Sequence, residues 1–154
     1  MKLEVIIAST RPGRVGLPVG RWFYEHARQH GKFEIGLADL AVINLPFLDE
    51  PKHPRFQDYL HQHTKDWSAR IDAADAIAMV TPEYNFSTPA PLVNAIDYLN
   101  REWAYKPVGF VSYGGISGGL RAVEQLRLVF AELHAPTMRD GVSLHNPRAL
   151  FEEA

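Results

Sequence analysis

The chain has 154 residues, 46% hydrophobic and 22% charged, with a formal net charge of −2 and no cysteine. This length is typical of one domain whose core is large enough to fold without disulfides. The charge balance argues against binding nucleic acid through a basic surface, and the lack of cysteine excludes disulfides, thiolate metal sites and cysteine nucleophiles. No apolar run approaches the ~18 residues of a membrane span. We expect one cytoplasmic domain, residues 1–154, without a membrane or nucleic-acid partner.

Five apolar segments of strand length alternate with amphipathic segments of helical period. The expected strands are residues 3–8, a segment within 33–44, residues 76–80, residues 107–113 and residues 136–144. A helix is expected after each of the first four strands, and the second helix is long, with an apolar stripe from Phe56 to Ala74. This alternation predicts an α/β fold, a flavodoxin-like three-layer αβα sandwich with a five-stranded parallel sheet of order 2-1-3-4-5.

Three loops with unusual composition follow the first, third and fourth strands. They read STRPGRVG (residues 9–16), TPEYNFSTP (81–89) and YGGISGG (113–119). In a sheet of this order, the carboxyl ends of those strands lie at one edge, around the point where the strand order reverses. Open α/β sheets bind their ligands there. We therefore expect the three loops to surround one ligand.

The first loop is predicted to bind a phosphate. Ser9 and Thr10 provide hydroxyls, and Arg11 provides a guanidinium. The helix that begins near Gly16 provides free N–H groups at its positive end. The loop lacks both G-x-x-x-x-G-K-[ST] and G-x-G-x-x-G, so neither a nucleoside triphosphate nor a Rossmann dinucleotide is indicated. The alternative is a polar loop with surface arginines.

The other two loops are predicted to hold a planar ring. The glycines of residues 114–119 let the backbone approach a flat group, while Tyr84, Asn85 and backbone groups near Glu83 can stack on it or bond to it. The alternatives are a capped turn with Ser117 as helix N-cap, and loop side chains that only satisfy backbone groups. A phosphate end with a ring end fits a mononucleotide, and FMN is the one this fold commonly carries.

Together, STRPGR, PEYN, LVNAIDYL (residues 92–99) and SYGGISGG resemble the NAD(P)H-dependent FMN reductase family, which includes azoreductase-like, quinone-reducing and chromate-reducing flavoproteins. The resemblance implies non-covalent FMN and hydride transfer from NADPH or NADH, via FMN, to a small acceptor such as a quinone, azo compound, flavin or metal oxyanion. It also implies a homodimer or homotetramer. Members usually continue past the fifth strand into a closing helix, whereas this sequence ends at Ala154. We expect that helix to be missing or to be supplied by another subunit.

From the residues and the resemblance together, we expect all three loops to bind the cofactor, with no catalytic side chain and no metal ligand. The expected cofactor-binding residues are Ser9, Thr10, Arg11, Arg14, Val15, Gly16, Pro82, Glu83, Tyr84, Asn85, Ser112, Tyr113, Gly114, Gly115 and Gly118. Arg14 is also a candidate contact for the 2′-phosphate of NADPH. The aromatic cluster of Tyr98, Trp103 and Tyr105 predicts a subunit interface.

Two other functions stay open from the sequence. A flavodoxin-type electron carrier would bind FMN without oxidising NAD(P)H, although the mild net charge is unlike the strong acidic field of such carriers. A flavin-free protein of this fold is disfavoured. A receiver domain needs an Asp where Thr81 and Pro82 end the third strand, and a low-molecular-weight phosphatase needs a cysteine.

Overall fold

Five parallel strands form one sheet in the order β2-β1-β3-β4-β5, as predicted. In this computed structural model, which describes residues 1–151, the strands are β1 (Lys2–Ile7), β2 (Glu34–Asp39), β3 (Ala76–Pro82), β4 (Val108–Gly114) and β5 (Val142–His145). Neighbouring strands are all paired in parallel, so every carboxyl end lies at the same edge of the sheet. The loops after β1, β3 and β4 therefore start side by side.

Six helices connect or follow these strands. They are α1 (Gly16–His30), α2 (Leu40–Ile43), α3 (Gln62–Asp72), α4 (Ala90–Asp97), α5 (Leu120–Glu132) and α6 (Arg148–Phe151). Helix α1 ends at His30, because Gly31 takes a left-handed conformation and donates its N–H to the Arg28 carbonyl. Within residues 1–151, no helix combines the length and apolar character needed to cross a bilayer. Of the C-terminal tail considered above, residues 152–154 lie outside the described part of the chain.

Side chains of the strands alternate between two apolar layers, one on each face of the sheet. One layer joins β-strand residues such as Met79 and Phe110 to α3, α4 and α5, and it contains Trp67 and Trp103. The other joins neighbouring strand residues to α1 through Val19. This burial holds the sheet, and with it the loops at its carboxyl edge.

The predicted aromatic interface is wrong for two of its three members. Tyr98 and Trp103 are fully buried in the core of the chain, and only Tyr105 is exposed, with 83% of its surface accessible. The buried polar atoms are satisfied inside the chain: the Tyr98 hydroxyl donates to Asp49 (2.9 Å) and the Trp103 indole donates to the Ile96 carbonyl (3.1 Å). The interface prediction rested on the clustering of these residues in the sequence, and such clustering does not tell which side chains face the core and which face solvent.

The helix between β2 and β3 begins later than the apolar stripe from Phe56 to Ala74 predicted. Phe56 lies in a 3₁₀ turn and is exposed, and α3 begins only at Gln62. Gln57 takes a left-handed conformation, which interrupts the helix. The Glu50 carboxylate accepts the N–H groups of Leu60 (2.7 Å) and His61 (3.0 Å), so it supplies the partners that an earlier helical turn would have provided.

The fifth strand is also shorter than predicted, since only Val142–His145 belongs to it. The preceding segment is held against α5 by the Arg127 guanidinium, which donates to Thr137 Oγ1 (3.1 Å) and to the carbonyls of Met138 (2.8 Å) and Arg139 (3.0 Å). The segment also makes one parallel bridge to β4, in which Val108 donates its N–H to the Pro136 carbonyl (2.9 Å) and accepts the Met138 N–H (2.8 Å), before the ladder is interrupted.

Glu4 on β1 is fully buried, and its carboxylate lies where a Cβ at position 36 would stand, so Gly36 provides its space. Arg70 Nε (3.2 Å) and Lys2 Nζ (3.6 Å) are its cationic neighbours, and neither carboxylate oxygen makes a hydrogen bond with another described residue. Burial raises the pKa of Glu4 above its ordinary value of 4.5, even though Arg70 and Lys2 act to lower it.

We expect Glu4→Gln to remove a pH dependence of stability. Between pH 4.5 and the raised folded pKa, the folded state binds more protons than the unfolded state, so the free energy of unfolding falls as pH rises. The variant should lack this decline and be at least as stable as wild type at pH 7. Urea unfolding across this range measures it, with the exposed Glu124→Gln as control. A variant less stable than wild type at pH 7 would show that the ion pairs outweigh burial.

Candidate functional site

The three predicted loops surround a cavity of about 510 Å³ at the carboxyl edge of the sheet. Its lining residues are Arg11, Arg14, Val15, Pro82, Tyr84, Tyr113, Gly114, Gly115, Asn146, Pro147, Arg148 and Ala149. The volume is within the ~300–1,000 Å³ range of small-molecule sites. The structure therefore brings together eight of the predicted site residues, contributed by all three loops.

A fourth segment, residues 146–149 after β5, also lines the cavity, and sequence reasoning missed it. Asn146 takes a left-handed conformation and donates its N–H to the Gly114 carbonyl (2.8 Å), which joins this segment to the glycine-rich loop. The signal was available: β5 follows β4 in the predicted order, and an Asn-Pro pair ends it. Any strand at that place in the order brings its carboxyl end to the same site.

Two buried hydroxyls meet beside the start of α1. A Cβ at Gly16 would overlap both Ser9 Oγ and the Tyr113 hydroxyl, so only glycine leaves room for them. Beyond contact with each other, neither hydroxyl finds a hydrogen-bond partner among the described residues. Buried polar groups without a partner are costly, and they commonly mark a place where a ligand or an ion binds.

The chemistry of this corner fits an anion. No side chain caps the N-terminus of α1, so its first-turn N–H groups are free of a capping partner. Burial raises the pKa of Tyr113, which keeps its hydroxyl protonated and able to donate. Free N–H groups at a positive helix end, beside two hydroxyl donors, are groups of the kind that bind a phosphate.

The two arginines of the first loop differ in their surroundings. Arg14 makes a bidentate ion pair with Asp39 (both distances 2.7 Å) and also donates to the Ser9 carbonyl (2.7 Å). Burial alone would raise the pKa of Asp39, but hydrogen bonds from Arg14 and from the Ala41 N–H outweigh it and lower that pKa. Arg14 therefore ties the loop to the end of β2. The Arg11 side chain is exposed at the cavity and makes no hydrogen bond with another described residue.

Several predicted site residues do not reach this cavity. Thr10 lines a separate cavity of about 330 Å³ between α2 and α4. Ser112 is buried, and its hydroxyl donates to the Gly118 carbonyl (2.8 Å). Gly118 is left-handed, and a Cβ there would overlap Ser143 Oγ. Ser112 and Gly118 thus shape the glycine-rich loop from beneath.

Residues 84–87 form a two-residue hairpin turn. The N–H groups of Tyr84 and Ser87 each donate to the other's carbonyl, and the two residues between them, Asn85 and Phe86, are both left-handed. This turn leaves Tyr84 at the cavity and turns Asn85 towards solvent. Glu83 directs its side chain away from the cavity, and its N–H donates to the Tyr113 carbonyl (3.2 Å), so that N–H is not available to a ring.

The alternative function considered for Ser117, that of helix N-cap, is not what the structure shows. Gly119 is the N-cap of α5, and Ser117 Oγ accepts its N–H (3.2 Å). Among residues 1–151, no three acidic or histidine side chains are grouped as ligands of a metal would be.

The sequence matches the family model described as NADPH-dependent FMN reductase over residues 1–148. The chain belongs to this family. The family predicted from the motifs is thereby confirmed. The chain is an oxidoreductase that depends on FMN and NAD(P)H, and this function is favoured over that of a flavodoxin-type carrier.

Relatives of this FMN reductase include enzymes from several organisms. A protein of Schizosaccharomyces pombe named NAD(P)H-dependent FMN reductase is 39% identical over 142 residues, which cover 89% of this chain and 70% of that protein. The NADPH:quinone oxidoreductase of Arabidopsis thaliana is 47% identical over 105 residues, 65% of this chain and 50% of that protein. The solved structure of FerB, a flavoenzyme NAD(P)H:(acceptor) oxidoreductase from Paracoccus denitrificans, has a TM-score of 0.77 at 23% identity, covering 94% of this chain and 80% of that one. That likeness shows the fold alone.

The residues present in this FMN reductase fit the cofactor. FMN carries a phosphate at one end and a flat ring system at the other. The unpartnered hydroxyls of Ser9 and Tyr113 at the start of α1 match the first. The flat ring system is matched by Gly114, Gly115, Pro82 and Tyr84, which line the cavity of about 510 Å³.

Proposed function

We propose that this FMN reductase delivers the electrons of NAD(P)H to a small acceptor, of the class of quinones, azo compounds, free flavins or metal oxyanions. The observation that carries the proposal is the cavity lined by the Gly114–Gly115 backbone and Tyr113, because the hydroxyl of Tyr113 also meets the buried hydroxyl of Ser9 at the start of α1.

In this proposal the phosphate is held by Ser9, Arg11 and the N-terminus of α1 through Gly16, with Tyr113 donating from the side of β4. The ring lies between the segment of Pro82 and Tyr84 and the glycines that follow β4. When bound, FMN supplies the redox chemistry, taking two electrons from NAD(P)H and delivering them to the acceptor. Backbone N–H groups of the glycine-rich loop stabilise negative charge at the ring edge.

The remaining predicted residues have supporting roles in this proposal. Val15 provides apolar contact in the cavity, and Arg14 keeps the phosphate loop in place through Asp39. Because the guanidinium of Arg14 is already engaged, we propose Arg11 rather than Arg14 as the arginine that meets a phosphate of either nucleotide. Ser112 and Gly118 support the glycine-rich loop, while Asn85 shapes the turn beside it.

We also propose that the enzyme works as a homodimer or homotetramer in the cytoplasm, where NAD(P)H is at hand. Exposed apolar side chains near α4, Val42 and Phe47, support self-association, as does exposed Phe86 at the rim of the site. Thr10 would then lie close to a subunit boundary, because it lines the cavity that Phe47 borders. Sedimentation velocity at micromolar concentration decides, and a monomer would contradict the proposal.

A spectrum and a reduction experiment test the function. Purified protein should show the visible absorption bands of FMN, directly or after reconstitution, and anaerobic NADPH should bleach them rapidly. Bands that bleach only slowly would indicate a carrier, and no bands under any condition would exclude a flavoprotein. Steady-state kinetics with NADH, NADPH and a panel of quinone, azo, flavin and chromate acceptors would then identify the substrates.

Arg11→Ala is expected to weaken FMN binding by about 1.5–3 kcal/mol, the usual contribution of a hydrogen bond to a charged group. The Arg11 side chain makes no hydrogen bond or ion pair with another described residue, so its removal should leave the free energy of unfolding unchanged. Fluorescence titration of the apoprotein with FMN measures the change. Arg28→Ala, near the far end of α1, is the matched control. An unchanged dissociation constant would remove Arg11 from the site.

A further inference from the structure

Glu83 lies in the loop after β3, yet its carboxylate is bonded to the segment after β4. Its side chain is only 6% exposed. It accepts the Ser117 hydroxyl, the backbone N–H of Arg121 (3.1 Å) and the Arg121 guanidinium (Nε at 2.5 Å). Burial alone would raise the pKa of Glu83, but these donors outweigh it and lower that pKa, so the group stays ionised.

On one side, this carboxylate sets the shape of the glycine-rich loop. The Ser117 hydroxyl donates a hydrogen bond to Glu83 and accepts one from the N–H of Gly119 (3.2 Å). Gly119 is left-handed, and a Cβ there would overlap the Tyr113 backbone nitrogen at 2.6 Å. The Arg121 N–H belongs to the first turn of α5, so Glu83 also caps that helix from a distant part of the chain.

On the other side, Arg121 and Gln125 of α5 hold the hairpin turn of residues 84–87. The Arg121 guanidinium lies over the Phe86 ring, 3.5 Å from its centroid. Gln125 on α5 donates to the Phe86 carbonyl (2.9 Å) and accepts the Ser87 hydroxyl (2.6 Å). Phe86 is a bulky residue with a φ of 67°, a conformation that persists only where the surroundings enforce it.

We propose that Glu83 is a positioning residue, which joins the two ring-binding loops into one rigid wall of the cofactor cavity. Its carboxylate does not line the cavity, and it acts through Ser117 and Arg121. The inference rests on the proposed flavin site, because that site gives the two loops their common ligand. Without the carboxylate, the glycine-rich loop and the hairpin turn would move independently. FMN would then have to order both loops when it binds, and its affinity would be lower.

Glu83→Gln is the direct test, because the amide keeps the shape but has only one acceptor oxygen for several donors. We expect the FMN dissociation constant of the variant to rise about tenfold or more, as for the loss of a charged hydrogen bond. In the apoprotein, hydrogen–deuterium exchange should accelerate in residues 84–87 and 114–121 and stay unchanged in β1 and β3. A general loss of stability would accelerate exchange throughout.

Glu102→Gln is the matched control. Glu102 is equally buried and accepts two hydroxyls, from Tyr59 and Ser68 (both 2.7 Å), but it precedes β4 and so lies at the opposite edge of the sheet. This variant should unfold at a lower temperature with an unchanged dissociation constant for FMN. Wild-type affinity and wild-type loop exchange in Glu83→Gln would overturn the proposal.

Two further outcomes are decisive. If Glu83→Gln does not fold, Ser117→Ala is the second test, because it removes one of the hydrogen bonds to Glu83. The FMN dissociation constant and the exchange rate of the two loops should both increase, but less than expected for Glu83→Gln. Wild-type values of both in Ser117→Ala would overturn the proposal. If wild-type protein binds no FMN, the proposed flavin site fails. Exchange in residues 114–121 of the apoprotein then decides on its own whether Glu83 orders the loops.

Discussion

Gly16→Ala is expected to raise the dissociation constant for FMN at least about 100-fold, as for the loss of two hydrogen bonds to a charged group. A methyl group at this position would overlap the Ser9 and Tyr113 hydroxyls, which are both buried and cannot turn towards water. The first turn of α1 would therefore have to move away from the loop. Its N–H groups and the two hydroxyls would no longer converge on one phosphate.

The measurement is fluorescence titration with FMN, combined with thermal unfolding of the apoprotein. Gly31→Ala is the control, because Gly31 is a glycine that ends the same helix in a left-handed conformation, far along α1 from the cavity. It should lower stability and leave FMN affinity unchanged. Tyr113→Phe combined with Ser9→Ala removes both oxygens, so Gly16→Ala in that background should recover stability but not affinity. Wild-type affinity in Gly16→Ala would exclude the start of α1 as the phosphate site.

Trp103→Ala is expected to lower the free energy of unfolding by about 3–5 kcal/mol, the usual cost of removing a large aromatic side chain from a core. Trp103 is fully buried, with edge contacts to the rings of Trp67 (6.2 Å between centroids) and Phe130 (5.8 Å). Its indole N–H donates to the Ile96 carbonyl, which would lose its partner. The cavity left behind joins α3, α4 and α5, so no single helix can move to fill it.

Urea unfolding monitored by circular dichroism measures this loss. Tyr105→Ala, two residues along, is the control, since an exposed side chain should change stability by no more than about 0.5 kcal/mol. A small loss in Trp103→Ala, comparable to that control, would contradict the burial described above. It would instead support the interface that the sequence analysis predicted for the aromatic cluster.

In the candidate site, local sequence motifs predicted some features correctly, whereas contacts between residues far apart in the sequence were not predicted. The motifs correctly identified the loops and the family, because a strand, its turn and the glycines that follow are encoded within about ten consecutive residues. They did not reveal that Arg14 is occupied by Asp39, 25 residues away, or that Glu83 bonds to Arg121, 38 residues away. Both side chains were predicted to contact the cofactor, and both have a charged partner within the chain, although Arg14 also lines the cavity.

The sequence by itself determined the alternation of strands and helices, hence the strand order, and from that order the meeting of the loops at one edge. Periodicity and turn residues act over short range, and parallel topology then leaves few arrangements. Only the tertiary structure decided that Trp103 faces the core and that α3 begins at Gln62. These outcomes depend on which distant groups compete for a side chain or a backbone N–H, and that competition is settled only when the layers pack.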